Sequence, residues 1–247
     1  MMNANYNCLL MDLDGTLLDF GSAEREAIAA TLTKSGLPHD EDTVTLYAKI
    51  NAEMWDKLER GEIKKDKLVL QRFVQLLEEL GAEGDPVKLN NEYMKDLSAA
   101  AMPFPGAAEL LEELAEFATL AAITNGISKV QMNRLEKSGL LPYFDEVFVS
   151  EKLGVTKPSP KFFDAALRKL GVKNKEKVLV IGDSLAADIK GGNNAKLDTC
   201  WYNLAGAENT TDIVPTHEAR SYMEIKQIAV GEEALEIAAN REKRHTV

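Results

Sequence analysis

The sequence predicts an α/β protein with an open parallel sheet and a helical domain inserted after the first strand. Five short apolar runs, bounded by turn residues, are typical of buried parallel strands. Helical patterns separate the last four runs, and this alternation favours parallel strands joined by right-handed crossovers. The stretch after the first run has no strand signal and is far longer than the dozen or so residues that a crossover needs. It therefore predicts a separate domain.

The elements of the sheet domain follow one another in a simple order. Its strands are expected at residues 8–11, 118–123, 147–149, 178–181 and 199–202. Its helices are expected at residues 104–116, 128–138, 160–170 and 186–195. Two of these helices run into Gly139 and Gly171, and glycine commonly ends helices. The charged tail, residues 231–247, is also predicted to be helical.

The insertion has only helical signals. Its helices are expected at residues 23–34, 42–58, 65–80 and 87–101, with glycine and proline between them. The predicted domains are therefore a sheet domain of residues 1–17 and 103–247 and a helical domain of residues 18–102.

Composition restricts the choice of partner. The 247 residues contain 29 Lys and Arg against 40 Asp and Glu, which gives a net charge of −11. This excess of negative charge repels phosphate backbones and anionic lipids, so we expect neither nucleic acid nor membrane as a partner. Cys8 and Cys200 lie in apolar runs and are interpreted as buried residues of a reducing compartment. With no signal-peptide pattern at the start, we expect a cytoplasmic protein. No oligomeric state is predicted.

Polar side chains follow four of the predicted strands. The carboxyl ends of parallel strands meet at one edge of a sheet, and ligands bind there. The residues expected to gather at that edge are Asp12 and Asp14 after the first strand, Thr124, Asn125 and Gly126 after the second, Lys157 after the third, and Asp183, Ser184 and Asp188 after the fourth.

These residue types indicate phosphoryl chemistry. Asp12, Asp14 and Asp183 bring negative charge that a hard divalent ion would balance, and Mg²⁺ prefers such oxygen ligands. Lys157 and Thr124 provide a point charge and a hydroxyl, which suit a phosphoryl oxygen. Side chains two residues apart in a strand point the same way, so one aspartate can be a nucleophile while the other moves a proton.

Taken singly, each feature has an ordinary structural interpretation. Asp183 resembles a helix cap, Asn125-Gly126 a turn, and Lys157-Pro158 a loop. Ser184 and Asp188 are expected to support the site through hydrogen bonds. It is the common position of these residues after successive strands that favours a site.

The same residues resemble the four motifs of the haloacid dehalogenase (HAD) superfamily. They are Asp12-Leu13-Asp14-Gly15-Thr16, Thr124, Lys157, and Gly182-Asp183-Ser184 with Asp188. The resemblance implies a Rossmann-like core and identifies the helical insertion with the C1 cap of that superfamily. A narrower resemblance, to the pyrimidine 5′-nucleotidase branch, rests on four segments: residues 17–20, 123–126, 155–158 and 198–203.

The resemblance also implies roles. Asp12 would form an aspartyl-phosphate, and Asp14 would protonate the leaving oxygen and then activate water. Mg²⁺ would bind the Asp12 carboxylate, the Asp14 backbone carbonyl and Asp183. Thr124 and Lys157 would hold the phosphoryl group, with a backbone donor from Asn125 or Gly126. The substrate would be a small phosphorylated metabolite, in the narrower branch a nucleoside monophosphate, and the cap would choose the leaving group.

Other functions remain open at this point. A sugar-phosphate or phosphoglycolate phosphatase, or a phosphosugar mutase, would have the same core residues. A dehalogenase is disfavoured because Asp14 provides an acid that halide departure does not need. A receiver-like phospho-acceptor module, the non-enzymatic alternative, has no place for the helical insertion.

Overall fold

The computed structural model describes residues 4–236 and divides the chain into two compact units. The first unit consists of residues up to Leu18, Pro103–Ser128, and the chain from Gly139 onward. The second consists of Asp19–Met102 together with Lys129–Ser138.

The first unit is built on one parallel sheet. Its strands within the described residues are β1 (Cys8–Met11), β2 (Thr119–Thr124), β3 (Glu146–Val149), β4 (Val178–Gly182), β5 (Asp198–Tyr202) and β6 (His217–Ala219). The strand order is β3-β2-β1-β4-β5-β6. The chain moves from β1 to β2 on one side and later to β4 on the other, so the carboxyl end of β1 lies where the winding reverses. Ligands of open α/β sheets bind at this point.

The helices connect these strands and build the second unit. In chain order they are α1 (Phe20–Lys34), α2 (Glu41–Glu59), α3 (Lys65–Leu80), α4 (Pro86–Ala99), α5 (Ala107–Ala115), α6 (Ser128–Lys137), α7 (Ser150–Leu153), α8 (Pro160–Leu170), α9 (Lys190–Asn194) and α10 (Tyr222–Val230). Short 3₁₀ turns occur at Leu141–Tyr143 and Lys175–Lys177, and a π-helical turn, Leu185–Ile189, precedes α9.

Apolar side chains of α8 cover one face of the sheet. Phe162 and Phe163 are fully buried and pack in one cluster with Leu10, Ile123 and Val180 of the three central strands. Burial of such surface is the main favourable contribution to folding. It anchors β1, β2 and β4, the strands that carry the polar residues.

Helices α1 to α4 and α6 form the second unit. A buried arginine, Arg72, lies among the rings of Tyr47, Phe73 and Tyr93, with its Cζ 4.7 Å from the Tyr93 centroid. Its guanidinium donates to Asn51 Oδ1 of α2 and to Asn90 Oδ1 of α4, both at 2.9 Å. Hydrogen bonds and aromatic faces compensate for the burial of this charge.

Helix α6 belongs to the second unit, whereas the sequence predicts residues 128–138 as part of the sheet domain. The reason is side-chain contact. Asn133 Nδ2 donates to Ser98 Oγ at 2.8 Å, and Arg134 Nε donates to the carbonyl of Ala100 at 3.2 Å. A helical pattern shows that such a helix exists, but not which neighbour its polar face will contact.

The five predicted strands are present, with ends that differ by at most one residue. The structure adds β6, α7 and α10, which the sequence analysis does not predict. Residues 186–195, expected as one helix, are a π-helical turn followed by α9. Of the tail predicted as helical, residues 232–236 are helical, and residues 237–247 lie outside the described part.

Within residues 4–236, none of the helices has the length and apolar character needed to cross a membrane.

Candidate active site

The side chain of Lys157 lies at the centre of the polar residues beyond β1, β2 and β4. It is buried, with 2% of its surface exposed. Its Nζ donates to Asp12 Oδ1 at 2.5 Å, to Asp188 Oδ1 at 2.6 Å and to the carbonyl of Ile123 at 3.1 Å. One ammonium group therefore joins the loops that follow β1 and β4 to the end of β2.

The backbone of Lys157 is held by a reciprocal pair of hydrogen bonds. Asn125 Nδ2 donates to the Lys157 carbonyl, and the Lys157 amide donates to Asn125 Oδ1, both at 2.9 Å. Asn125 or Gly126 is expected to give a phosphoryl group a backbone donor, and that contact stays a prediction. The structure adds a role for the Asn125 side chain, which fixes Lys157, while the Gly126 amide donates to Thr124 Oγ1 at 2.9 Å.

Three carboxylates form a group that could hold a metal ion. One oxygen each from Asp12, Asp183 and Asp188 lies within 4.8 Å of the others. Asp12 and Asp188 are buried and Asp183 is exposed, so the group opens to solvent on one side. An all-oxygen set of this charge suits Mg²⁺ better than a softer metal ion.

Asp188 contacts the centre of the site directly, which its position in the sequence does not predict. It is expected to support a loop, and its Oδ2 does accept from the Ser184 amide at 3.2 Å. Its other oxygen contacts Lys157, and its carboxylate belongs to the acidic group. Ser184 itself caps the following turn, with its Oγ accepting from the Ala187 amide at 3.0 Å.

Asp14 is half-buried and is not one of the three residues of the acidic group. Its charge contributes to raising the pKa values of Asp12 and Asp183. The expected metal contact of Asp14 is through its backbone carbonyl, and that contact stays a prediction.

Crowded carboxylates raise one another's pKa values. Burial raises the pKa of Asp12 above its usual range, Lys157 opposes this, and the neighbouring aspartates add to it. Although Asp183 is exposed as a residue, its carboxylate is crowded by the neighbouring loop, so loss of hydration and then repulsion from Asp188 raise its pKa. Burial alone would lower the pKa of Lys157, but Asp12 and Asp188 outweigh it and the net shift is upward. The site thus holds more negative charge than its one buried lysine balances.

Two glycines let the acidic loops approach closely. A Cβ at Gly182 would lie 2.2 Å from Asp188 Oδ2, and one at Gly15 would lie equally close to a carboxylate oxygen of Asp183. Gly15 also has φ +82°, a conformation that other residues adopt at a cost.

Two aromatic residues that sequence reasoning does not place at the site contact its loops. Trp201 Nε1 donates to the Asp183 carbonyl, and Tyr222 Oη donates to the Thr16 carbonyl. Trp201 lies within residues 198–203, one of the segments that carry the narrower resemblance, but its pattern indicates only a strand. Tyr222 carries no signal, because it is far from every motif.

Comparison with known proteins agrees with this fold. The model of haloacid dehalogenase-like hydrolases matches residues 6–196. The pyrimidine 5′-nucleotidase PynA of Streptococcus pneumoniae is 42% identical over 89% of this chain and 93% of its own length. The pyrimidine 5′-nucleotidase YjjG of Escherichia coli is 34% identical over 90% of this chain and 97% of its own length.

A solved structure is similar over almost the same span. The putative HAD-hydrolase YfnB of Bacillus subtilis, bound to magnesium, has a TM-score of 0.86 and 38% identity, covering 91% of this chain and 98% of its own.

The parallel sheet and the acidic residues at its carboxyl edge define an α/β hydrolytic enzyme. This chain belongs to the haloacid dehalogenase-like hydrolases.

Proposed function

We propose that the protein is a Mg²⁺-dependent 5′-nucleotidase that hydrolyses pyrimidine nucleoside monophosphates through an aspartyl-phosphate on Asp12. The observation that carries this proposal is the placement of one buried lysine between Asp12 and Asp188, beside the exposed Asp183. This arrangement offers a nucleophile, a fixed cation and a set of metal ligands within one site.

The residues present fit Mg²⁺. The carboxylates of Asp12, Asp183 and Asp188 are close enough to share one ion, and their excess negative charge favours binding. The Asp14 carbonyl is proposed as a further ligand. Bound there, Mg²⁺ would supply the positive charge that keeps Asp12 ionised and balances the phosphoryl oxygens.

The first half-reaction transfers the phosphoryl group to the enzyme. An oxygen of Asp12 attacks phosphorus in line as the bond from phosphorus to the 5′-oxygen of the nucleoside breaks. Asp14 gives a proton to that oxygen, so the nucleoside leaves as a neutral alcohol. The Lys157 ammonium balances the charge of the phosphoryl oxygens and the Thr124 hydroxyl donates to them. The amide of Asn125, or that of Gly126 once released from Thr124, lies beside them.

The second half-reaction restores the enzyme. Asp14, now a carboxylate, takes a proton from water as the water oxygen attacks phosphorus. The bond between phosphorus and the Asp12 oxygen breaks, which frees Asp12 and releases phosphate. Asp188 accepts a hydrogen bond from the Ser184 amide, which orients its carboxylate, and another from Lys157, which keeps the lysine in place.

The nucleotide substrate is proposed from the relatives. Two proteins similar over nine-tenths of this chain are named pyrimidine 5′-nucleotidases. We propose that the helical insertion, residues 18–102, has the role of the superfamily's C1 cap and selects the nucleoside. Cys8 and Cys200 are free and buried, which agrees with action in the reducing cytoplasm.

A kinetic screen tests the proposal. Phosphate release is measured with Mg²⁺ at equal concentrations of pyrimidine and purine nucleoside monophosphates, sugar phosphates and phosphoglycolate. The proposal predicts the highest kcat/KM for the pyrimidine nucleotides. Preference for a sugar phosphate would assign the protein to sugar-phosphate hydrolysis, and isomer formation without phosphate release would indicate a mutase.

Asp12→Asn is the matched variant for the chemistry, because it keeps the shape of the side chain and removes the nucleophilic oxygen. It is expected to abolish turnover of every substrate in the screen. Turnover equal to that of the wild type would exclude Asp12 as the nucleophile.

A further inference from the structure

Trp201 holds the backbone of an acidic residue through a single hydrogen bond. It lies in β5 opposite Gly182 of β4, the residue directly before Asp183. Its indole Nε1 donates to the Asp183 carbonyl at 2.9 Å, and its ring is largely buried. Because the Trp201 ring is largely buried and its backbone is paired in the sheet, this hydrogen bond restrains the Asp183 carbonyl.

Tyr222 holds the other acidic loop. It is the first residue of α10, and its hydroxyl donates to the Thr16 carbonyl at 2.7 Å. Its ring stacks on Tyr202, the neighbour of Trp201, with centroids 5.3 Å apart and planes 15° apart. This stack leaves the Tyr222 ring little freedom to turn away from Thr16.

These contacts form a closed ring. Thr16 Oγ1 donates to Asp183 Oδ1 at 3.4 Å, which connects the two loops to each other. The path then runs from Asp183 to Trp201, along β5 to Tyr202, across the stack to Tyr222 and back to Thr16. We call Trp201, Tyr202 and Tyr222 the aromatic brace.

Asp183 needs such support more than its neighbours do. Asp12 and Asp188 are buried and each accepts a hydrogen bond from Lys157, whereas Asp183 is exposed and faces two other carboxylates. Repulsion from these carboxylates opposes its position in the absence of a metal ion. Residues that orient metal ligands through hydrogen bonds commonly change metal affinity by tenfold to a hundredfold when they are replaced.

We propose that Trp201 and Tyr222 are positioning residues that set the Mg²⁺ affinity of the site by holding Asp183 and the loop that carries Asp12 and Asp14. This inference rests on the proposed function, because it takes the acidic group to be a Mg²⁺ site. It assigns a purpose to β5 and α10, which contribute no residue to the chemistry.

The test uses two conservative variants and direct measurement of Mg²⁺ binding by calorimetry without substrate. Trp201→Phe keeps an aromatic ring and removes the indole donor, with Trp55→Phe in the second unit as its control. Tyr222→Phe keeps the stack and removes the hydroxyl, with Tyr143→Phe, at the opposite edge of the sheet, as its control. Circular dichroism and thermal unfolding establish that each variant is folded.

We expect Trp201→Phe and Tyr222→Phe each to weaken Mg²⁺ binding by about tenfold, and the two controls to leave it unchanged. At saturating Mg²⁺, both variants should regain nearly the wild-type kcat and KM for the preferred nucleotide. A purely structural role would lower the melting temperature without changing the Mg²⁺ dissociation constant.

The outcomes separate the two proposals. If the wild type binds Mg²⁺ and the folded variants bind it equally well, the aromatic brace does not set metal affinity, while the proposed function stands. If Trp201→Phe fails to fold, Tyr222→Phe alone decides, because it removes only the hydroxyl group and keeps the ring. A wild type that binds no Mg²⁺ would overturn both proposals.

Discussion

A methyl group on Gly15 would lie 2.2 Å from Oδ2 of Asp183, well inside van der Waals contact. These two residues are far apart in the chain, and each follows a different strand of the sheet. Their approach brings the loop after β1 against the loop after β4. The absence of a side chain at Gly15 is therefore a condition for assembling the acidic group.

Gly15→Ala should displace Asp183 and with it the metal site. We expect kcat/KM to fall by about a hundredfold, as displacements near 1 Å can cause. The control is Gly171→Ala, since Gly171 also has a positive φ, +69°, but no atom lies within 4 Å of its added Cβ. Both variants should lose about 1–2 kcal/mol of stability from backbone strain. Equal activity losses in the two variants would show that strain, and not contact with Asp183, is responsible.

Lys157→Met should destabilise the protein as well as inactivate it. The substitution leaves Asp12 and Asp188 buried without their cation, and breaking a buried pair in this way costs about 3–5 kcal/mol. Lys175→Met is the matched control. Lys175 Nζ lies 2.9 Å from Asp164 Oδ1, but both side chains are about half-exposed, and such pairs contribute about 0–1 kcal/mol to stability. Urea unfolding of both variants with EDTA present measures the difference. Similar losses in the two would mean that Lys157 is not balancing buried charge.

Mg²⁺ should stabilise the folded protein, and Asp183→Asn should remove that effect. In EDTA, Asp183→Asn should melt higher than the wild type, because it removes one of several mutually repelling carboxylates. In millimolar Mg²⁺ the order should reverse, since the wild type gains binding energy that the variant lacks. Asp164→Asn, an exposed acid on α8, should follow the wild type in both conditions. Differential scanning calorimetry at matched ionic strength measures the melting temperatures. The same order of wild type and variant in EDTA and in Mg²⁺ would contradict the prediction.

Asp14→Asn should separate the two half-reactions when the leaving group needs no proton. With p-nitrophenyl phosphate, nitrophenol should appear in a burst of about one equivalent per site, because a positioned acid is dispensable for such a leaving group. The slow phase that follows should be about 10²–10⁴-fold slower than wild-type turnover, since no base activates water. Stopped-flow absorbance records both phases. If no burst appears and the steady rate equals that of the wild type, Asp14 is excluded as the acid and base.

The sequence predicts the sheet well because its strands are buried. The prediction for β1 matches the structure at both ends, and α3 and α8 match in the same way. Apolar runs and caps such as Pro160 and Gly171 are local signals, so they can be interpreted without knowing the fold. β6 is missed because its three residues, His-Glu-Ala, include no apolar run and it becomes a strand only by pairing with β5.

The site is predicted less completely, because its contacts are not local. The motifs identify Asp12, Lys157 and Asp183, which follow strands. They give no sign that Asn125 would hold the backbone of a residue 32 positions later. Nor do they show that a π-helical turn would bring Asp188 onto the lysine.

The most direct test of the account is to trap the phosphoryl group during turnover. The wild type is mixed with a pyrimidine nucleoside monophosphate and Mg²⁺, quenched with acid within one turnover, digested and examined by mass spectrometry. The account predicts a phosphoryl group on the peptide that contains Asp12, located at Asp12 by fragmentation and absent from Asp12→Asn. Rapid phosphate release with the phosphoryl group on another residue, or on none, would contradict it.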